Sequence, residues 1–148
     1  MAKLTIKVKS YLNIDDEKVA DAARDPGHLI ERISTDKVQK HATAGGPVFP
    51  MFAVEDAFQG RAIGDAYNTT TFAQVACWIP TRGDQVYAKI SSSSEALVIG
   101  DFVESAGDGT LRKYDIASSG GIIEGAQVIV GRAIEAIAAG DSGVVEII

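Results

Sequence analysis

The sequence predicts an all-β fold, a small barrel or sandwich, and three observations predict it. Apolar and polar residues alternate with period two in several short segments, the pattern of half-buried strands. Gly-Asp recurs at 64–65, 83–84, 100–101, 107–108 and 140–141, each time beside a strand-like segment. Turn punctuation at that spacing marks a compact sandwich or barrel. Helical patterning is confined to one stretch, so helix is expected to amount to one or two short pieces at most.

Taken in order, Leu4, Ile6 and Val8 face one way while Lys3, Thr5, Lys7 and Lys9 face the other, which predicts a strand over 4–8. DDEKVADAARD (15–25) carries acids first and arginine near its end, in agreement with a helix macrodipole. Only Val19, Ala20, Ala22 and Ala23 could be buried there, and a short helix over 15–24 and an extended arm fit equally well. LIERIS (29–34) and KVQKHA (37–42) flank Thr35-Asp36 as a hairpin. PVFPMFAVE (47–55) is apolar on both faces and predicts a core strand over 47–54, which Pro47 and Pro50 push toward a sheet edge.

Strands over 72–79 and 85–90 read as a hairpin closed by TRGD, with Val75, Cys77 and Ile79 on one face and Ala76 and Trp78 on the other. SSSSEALVIGD (91–101) reads as a linker followed by a short strand or turn. Strands over 102–105 and 110–114 are joined by Ala-Gly-Asp-Gly, whose Asp108-Gly109 pair suits the positive φ of tight hairpins. Strands over 127–136 and 143–148 close the chain around Ala-Ala-Gly-Asp. No repeat of solenoid period is present.

The 148 residues are one domain's length, at which folding buries roughly 70% of the unfolded surface. A net charge of −6, with lysines and arginines dispersed, disfavours nucleic-acid binding. No apolar run approaches the ~20 residues a bilayer span needs, and MAKLTIKVKS alternates charge instead of forming a signal-peptide core. A soluble protein made in a cytoplasm, without membrane partners, is the expectation.

Few residues invite chemistry. Cys77 is the only cysteine, so no internal disulfide forms, and its strand neighbours Val75, Trp78 and Ile79 predict a buried thiol over a nucleophile. Trp78 belongs either in the core or at a subunit contact. Arg82-Gly83-Asp84 has the letters of an integrin motif, but its place between two strands makes it a turn. His28 and His41 lie twelve residues apart, and no Cys/His/Asp group has metal-ligand spacing. Acidic pairs such as Asp15-Asp16 and Glu55-Asp56 read as solvated or capping groups. Phosphate-binding glycine motifs and a nucleophile–base pair are missing, and neither an enzyme nor a cofactor is expected.

A larger pattern runs through PGHLIE (26–31), VQKHATAGG (38–46), FAVEDAFQGRAIGDAY (52–67), WIPTRGDQVYAKI (78–90), GDFVESAGDGTLRK (100–113) and VGRAIEAIAAGDSGVVEII (130–148). This succession resembles the head decoration, or cement, proteins of tailed bacteriophages. The resemblance covers the chain from about Pro26 onward, while LNIDDEKVADAARD and the small-residue loop DIASSGGIIEG (115–125) depart from it. It implies a structural virion protein on the outer surface of an assembled head, commonly a homotrimer, with the major capsid protein as partner. It transfers no catalytic residue.

On that reading residues 1–25 form an N-terminal arm and 26–148 the β-rich decoration domain. A lone N-terminal strand must pair with its own sheet or augment a neighbour's edge. Lys3, Leu4, Ile6, Lys7, Val8 and Lys9 are therefore the candidate capsid or protomer contacts, the lysines suiting an acidic shell. The alternative reading is a stand-alone β-barrel module for a carbohydrate or peptide, for which Phe49, Phe52 and Phe58 could supply aromatic surface.

Overall fold

The computed structural model describes residues 3–115 and 127–148; the loop at 115–125 falls, beyond Asp115, outside them. The chain is all-β, as its alternation predicts. Among the described residues the strands are β1 (Lys7–Lys9), β2 (Ile14–Ala20), β3 (Ile30–Arg32), β4 (Lys37–Lys40), β5 (Phe52–Ala53) and β6 (Gln74–Ile79), followed by β7 (Gln85–Lys89), β8 (Phe102–Ser105), β9 (Leu111–Lys113), β10 (Ile129–Ala133) and β11 (Ser142–Ile147). Among the described residues helix is limited to a 3-10 turn, Ala57–Gln59, whose free Phe58 N–H is capped by the Asp56 carboxylate at 3.0 Å.

Two sheets pack as a sandwich. One is antiparallel with strand order β1-β7-β11-β10-β8-β9. The other has order β3-β4-β2-β6-β5 and is antiparallel apart from the β2–β4 pair. The edges of this second sheet approach each other, because Leu29 bridges Phe52 and Ile30 N–H donates to Met51 O at 2.9 Å.

The main core lies between the sheets. Leu29, Phe52 and Trp78 enter it from one side, and Val86, Val103, Val130 and Val145 from the other. A second cluster, Ile30, Val38, Met51, Ala53, Val75 and Cys77, lies on the opposite face of the five-stranded sheet and is closed by Tyr67. Strand β6 therefore faces a core on both sides. The predicted alternation holds: Val75 and Cys77 serve the second cluster, Trp78 and Ala76 the first. Tyr67 is wholly buried and spends its hydroxyl on Val54 O at 2.6 Å, and burial pushes its pKa well up.

Several expectations are corrected. Residues 14–20 form no helix; β2 pairs with β6 over six residues, from Ile14 opposite Ile79 to Val19 opposite Gln74. That ladder, with partners about sixty residues away in sequence, outweighs a local dipole preference. Charges on β2 are met in place, since Asp16 pairs with Lys18 at 3.1 Å and Arg32 at 2.9 Å. The carboxylate of Asp16 is held below its ordinary range by the Glu17 N–H and by Lys18. Because β1 joins one sheet and β2 the other, the stretch expected as an arm up to residue 25 contributes to both.

The expected hairpin of strands 72–79 and 85–90 is not one, because β6 and β7 belong to different sheets. Pro80 offers no N–H to continue a ladder, and the chain turns at Thr81–Asp84 to meet the C-terminal strand. Gly83 N–H donates to Ile147 O at 2.8 Å and Ile147 N–H to Asp84 O at 2.9 Å. The expected strand over 47–54 shrinks to Phe52–Ala53, as donor-less Pro47 and Pro50 would have it. The first strand starts at Lys7 instead of Leu4, and the strand expected over 127–136 is confined to β10, Ile129–Ala133. The hairpins β3–β4 and β8–β9 form as read, although the positive φ angles of the latter fall on Gly107 and Gly109, not on Asp108.

Candidate functional site

Four of the five Gly-Asp dipeptides close the same built turn. In Ala62–Asp65, Thr81–Asp84, Val98–Asp101 and Ala138–Asp141, the aspartate N–H donates to the first residue's C=O at 3.0–3.2 Å. The third residue is glycine at positive φ, +92° at Gly83 and +95° at Gly100, which a side chain would strain. In three of the four the aspartate carboxylate also accepts the first residue's N–H: Ala62 at 3.1 Å, Thr81 at 2.8 Å and Val98 at 2.9 Å. Thus the carboxylate satisfies a donor the turn would otherwise leave open. Strands β7, β8 and β11 each begin at the next residue.

This settles what the Arg-Gly-Asp letters do. Asp84 is completely buried, and its carboxylate accepts from Thr81 N–H, from Thr81 Oγ at 3.3 Å and from Tyr11 N–H at 2.8 Å. It is fully engaged inside the protein and offers nothing to an external receptor.

Asp25–His28 repeats the plan with a histidine in the aspartate's place. His28 N–H donates to Asp25 O at 3.2 Å, and Asp25 N–H donates to His28 Nδ1 at 3.0 Å. The ring must be neutral to accept. Burial, and then Lys40 and Lys89, lower its pKa to about 4 against the opposing pull of Asp25 and Asp108. The unfolded chain, with an ordinary histidine near 6.5, binds that proton more readily, so acid favours unfolding. Stability is expected to fall by about 2 kcal/mol from this group between pH 7.5 and 5, and to keep falling toward pH 4. Urea denaturation at the two pH values, compared with His28→Asn, should show the variant losing that much less.

Cys77 is buried as expected, its Sγ 3.3 Å from Val75 O. Burial foremost, and then Asp16, push the thiol up to about 12. A thiol reagent should label the native protein far more slowly than the unfolded one. Cys77→Ala should cost about 1 kcal/mol, the effect of a small core truncation. Arg24, read from sequence only as the end of a dipole pattern, is likewise buried, where its Nε donates to Ala22 O at 2.9 Å and another guanidinium N–H to Val38 O. Burial lowers its pKa.

One constellation was not legible in sequence. His41 and Ser105, sixty-four positions apart, meet at 2.7 Å between Nδ1 and Oγ. Nε2–H of the imidazole donates to Pro47 O at 3.0 Å, so Nδ1 accepts from the serine hydroxyl. Glu31 stands 3.7 Å from Nε2. The three residues have the membership of a hydrolytic triad, but Ser105 is completely buried and its Oγ also accepts Gly107 N–H at 3.1 Å. No substrate carbonyl can reach that oxygen in this arrangement, which ties β4 and the 105–107 turn together. Among the described residues no group of three His, Cys, Asp or Glu side chains could hold a metal ion. No helix there is long and apolar enough to cross a membrane.

The candidate contacts near the N-terminus divide. Ile6 is in the main core, its N–H donating to Glu55 at 3.1 Å and its C=O accepting from Tyr87 N–H at 2.9 Å. Lys7 is paired with Asp15 and lies 5.8 Å from the centre of the Trp78 ring. Val8 is half-buried, and Lys9 lies over Tyr11 at 4.9 Å. Lys3 and Leu4 remain outward, Leu4 at 94% exposure. Thr5 donates to Glu55, which with Lys7, Asp15, Glu17, Asp56 and the fully exposed Phe58 borders a shallow depression of about 600 Å³.

Two further surfaces stand out. Pro47, Phe49 and Met51, with Glu31, Arg32 and His41, line a groove of about 420 Å³. Phe49 is exposed there, whereas Phe52 is a core residue. At one end of the sandwich, Val98 and Ile99 are exposed at 59% and 74%. No protein-family model matches this chain, and no curated protein matches it in sequence.

Proposed function

We propose that this chain is a structural virion protein that binds the outer surface of an assembled tailed-phage head as a homotrimer and stabilises the capsid lattice. The observation that carries the reading is the resemblance of the quoted segments from about Pro26 onward, outside the loop at 115–125. Its segments correspond to the turn at Pro26, to β4, to the stretch from β5 to Tyr67, and to the strands and Gly-Asp turns from β6 to β11. Supporting it, the groups that could do chemistry are engaged in holding the fold: Cys77 in a core, Asp84 in a turn, Ser105 beneath His41. A protein that binds only the assembled lattice stabilises it by mass action, and many copies clamping neighbouring subunits add modest energies into a large one. The outward pieces available for shell contact near the N-terminus are Lys3, Leu4 and Lys9, and Phe58 is a further exposed apolar side chain. Incubation with heads lacking the protein, with unexpanded shells and with free capsid subunits tests this by co-sedimentation. Saturable binding to expanded heads alone, with a raised disruption temperature, is expected; equal binding to free subunits overturns it.

A second reading is favoured by the groove at Pro47, Phe49 and Met51, which joins an apolar floor to the polar rim of Glu31, Arg32 and His41. Such a mixture suits a peptide or a sugar. Phe49→Ala would abolish that binding and leave head binding intact.

A further inference from the structure

The edges of the two sheets are not equally open. β9 is covered, since Ser91 N–H donates to Leu111 O at 2.8 Å and Lys113 N–H to Ser94 Oγ at 3.1 Å. β1 is interrupted by a register shift between Lys7 and Lys9, which spoils it as a template for a further strand. β3 keeps regular register with β4, from Ile30 opposite Lys40 to Arg32 opposite Val38. Its other side is met only part of the way by the segment before β5. Ala53 N–H donates to His28 O at 3.0 Å and Ile30 N–H to Met51 O at 2.9 Å. Beyond that rung the two segments part. Pro50, next to Phe49, holds its φ at about −65°, far from the about −140° of an antiparallel strand.

The parting leaves a row of backbone groups. His41 N–H donates to Leu29 O and Ile33 N–H to Lys37 O, so Leu29, Glu31 and Ile33 turn their groups toward β4. Ile30 and Arg32, in alternation, turn theirs outward. Ile30 C=O, Arg32 N–H and Arg32 C=O have no hydrogen-bond partner among the described residues. Glu31 and Arg32 both line the groove of about 420 Å³. Successive strand residues point to opposite faces, so the groove runs along the edge of β3. Phe49, 69% exposed, lines it from the diverging segment. Beside Arg32 the charge is positive, because Asp16 serves both Lys18 and Arg32, two cations on one carboxylate.

We infer that this groove takes an extended peptide segment of a partner protein, with an acidic side chain between aliphatic ones, which adds to β3 as a further strand. Its backbone N–H and C=O groups meet Ile30 C=O, Arg32 N–H and Arg32 C=O. The two outward carbonyls stand two residues apart, about 7 Å, which is the repeat of a second extended backbone. That row selects a peptide over a sugar. An aliphatic side chain covers Phe49, and the carboxylate takes the charge that Asp16 leaves over. The inference deepens the groove reading and is independent of head binding.

An NMR titration of the isotope-labelled full chain with the capped peptide Thr-Val-Asp-Val-Thr tests it. Shifts confined to residues 30–32 and 47–51 are expected. Exchange of the Arg32 N–H should slow by about tenfold at ten times the dissociation constant. The fully N-methylated peptide should do neither, and Thr-Val-Lys-Val-Thr should bind more weakly. Arg32→Pro deletes the outward N–H without removing a bond of the β3–β4 ladder and should abolish binding. Arg32→Gln keeps that N–H and should only weaken it. No shifts from the unmodified peptide at millimolar concentration overturn the inference, and so does equal binding of the N-methylated or the lysine peptide. Maltohexaose, titrated in parallel, separates the two ideas. Groove shifts from the sugar and none from the peptide keep the groove reading and sink this one.

Discussion

Trp78→Ala is expected to lower the free energy of unfolding by about 4 kcal/mol, the range for removing a large aromatic from a close-packed core. Trp78 is completely buried between the sheets, opposite Phe52 on β5 and Asp15 on β2. Against a typical total of roughly 5–15 kcal/mol, that loss brings the domain close to unfolding. Its indole N–H has no hydrogen-bond partner among the described residues. Trp78→Phe gives up area but also an orphan donor, and should cost well under half as much. Urea midpoints of the two variants check both figures. Since Trp78 is the only tryptophan, blue-shifted native fluorescence that moves red on unfolding is a second readout. A loss below 1 kcal/mol for Trp78→Ala would contradict its place in the core.

Asp84→Ala should cost about 3 kcal/mol, more than an ordinary polar truncation. It strips the acceptor from Thr81 N–H, Thr81 Oγ and Tyr11 N–H at once, in a site without exposure. The Tyr11 contact matters because residues 10–13 carry the chain from β1 in one sheet to β2 in the other. The sister variant Asp101→Ala removes one turn N–H contact and a partly exposed ion pair with Lys113. It should cost about 1 kcal/mol. Equal effects at the two positions would show that burial and the Tyr11 contact contribute nothing.

These residues show where sequence was informative. The β8–β9 hairpin was legible because both strands and the glycine turn lie within a dozen residues. The faces of β6 were legible because alternation is local, and so were the burial of Cys77 and the turn role of Arg82-Gly83-Asp84. The partner of β6 was not. It is β2, and β7 turns away to β11, so the most tempting local hairpin was the wrong one. A ladder of six residues beats propensity and proximity together, and nothing in DDEKVADAARD announces it beyond alternating burial that only the ladder reveals. The His41–Ser105 contact and the burial of Arg24 are also products of distant pairing.

The proposed decoration role is tested most directly by cryo-electron microscopy of tailed-phage virions assembled with this chain. The account predicts density for the two-sheet body on the outside of the shell, in threefold clusters bridging neighbouring capsid subunits. Virions whose outer surface carries no such density would contradict it.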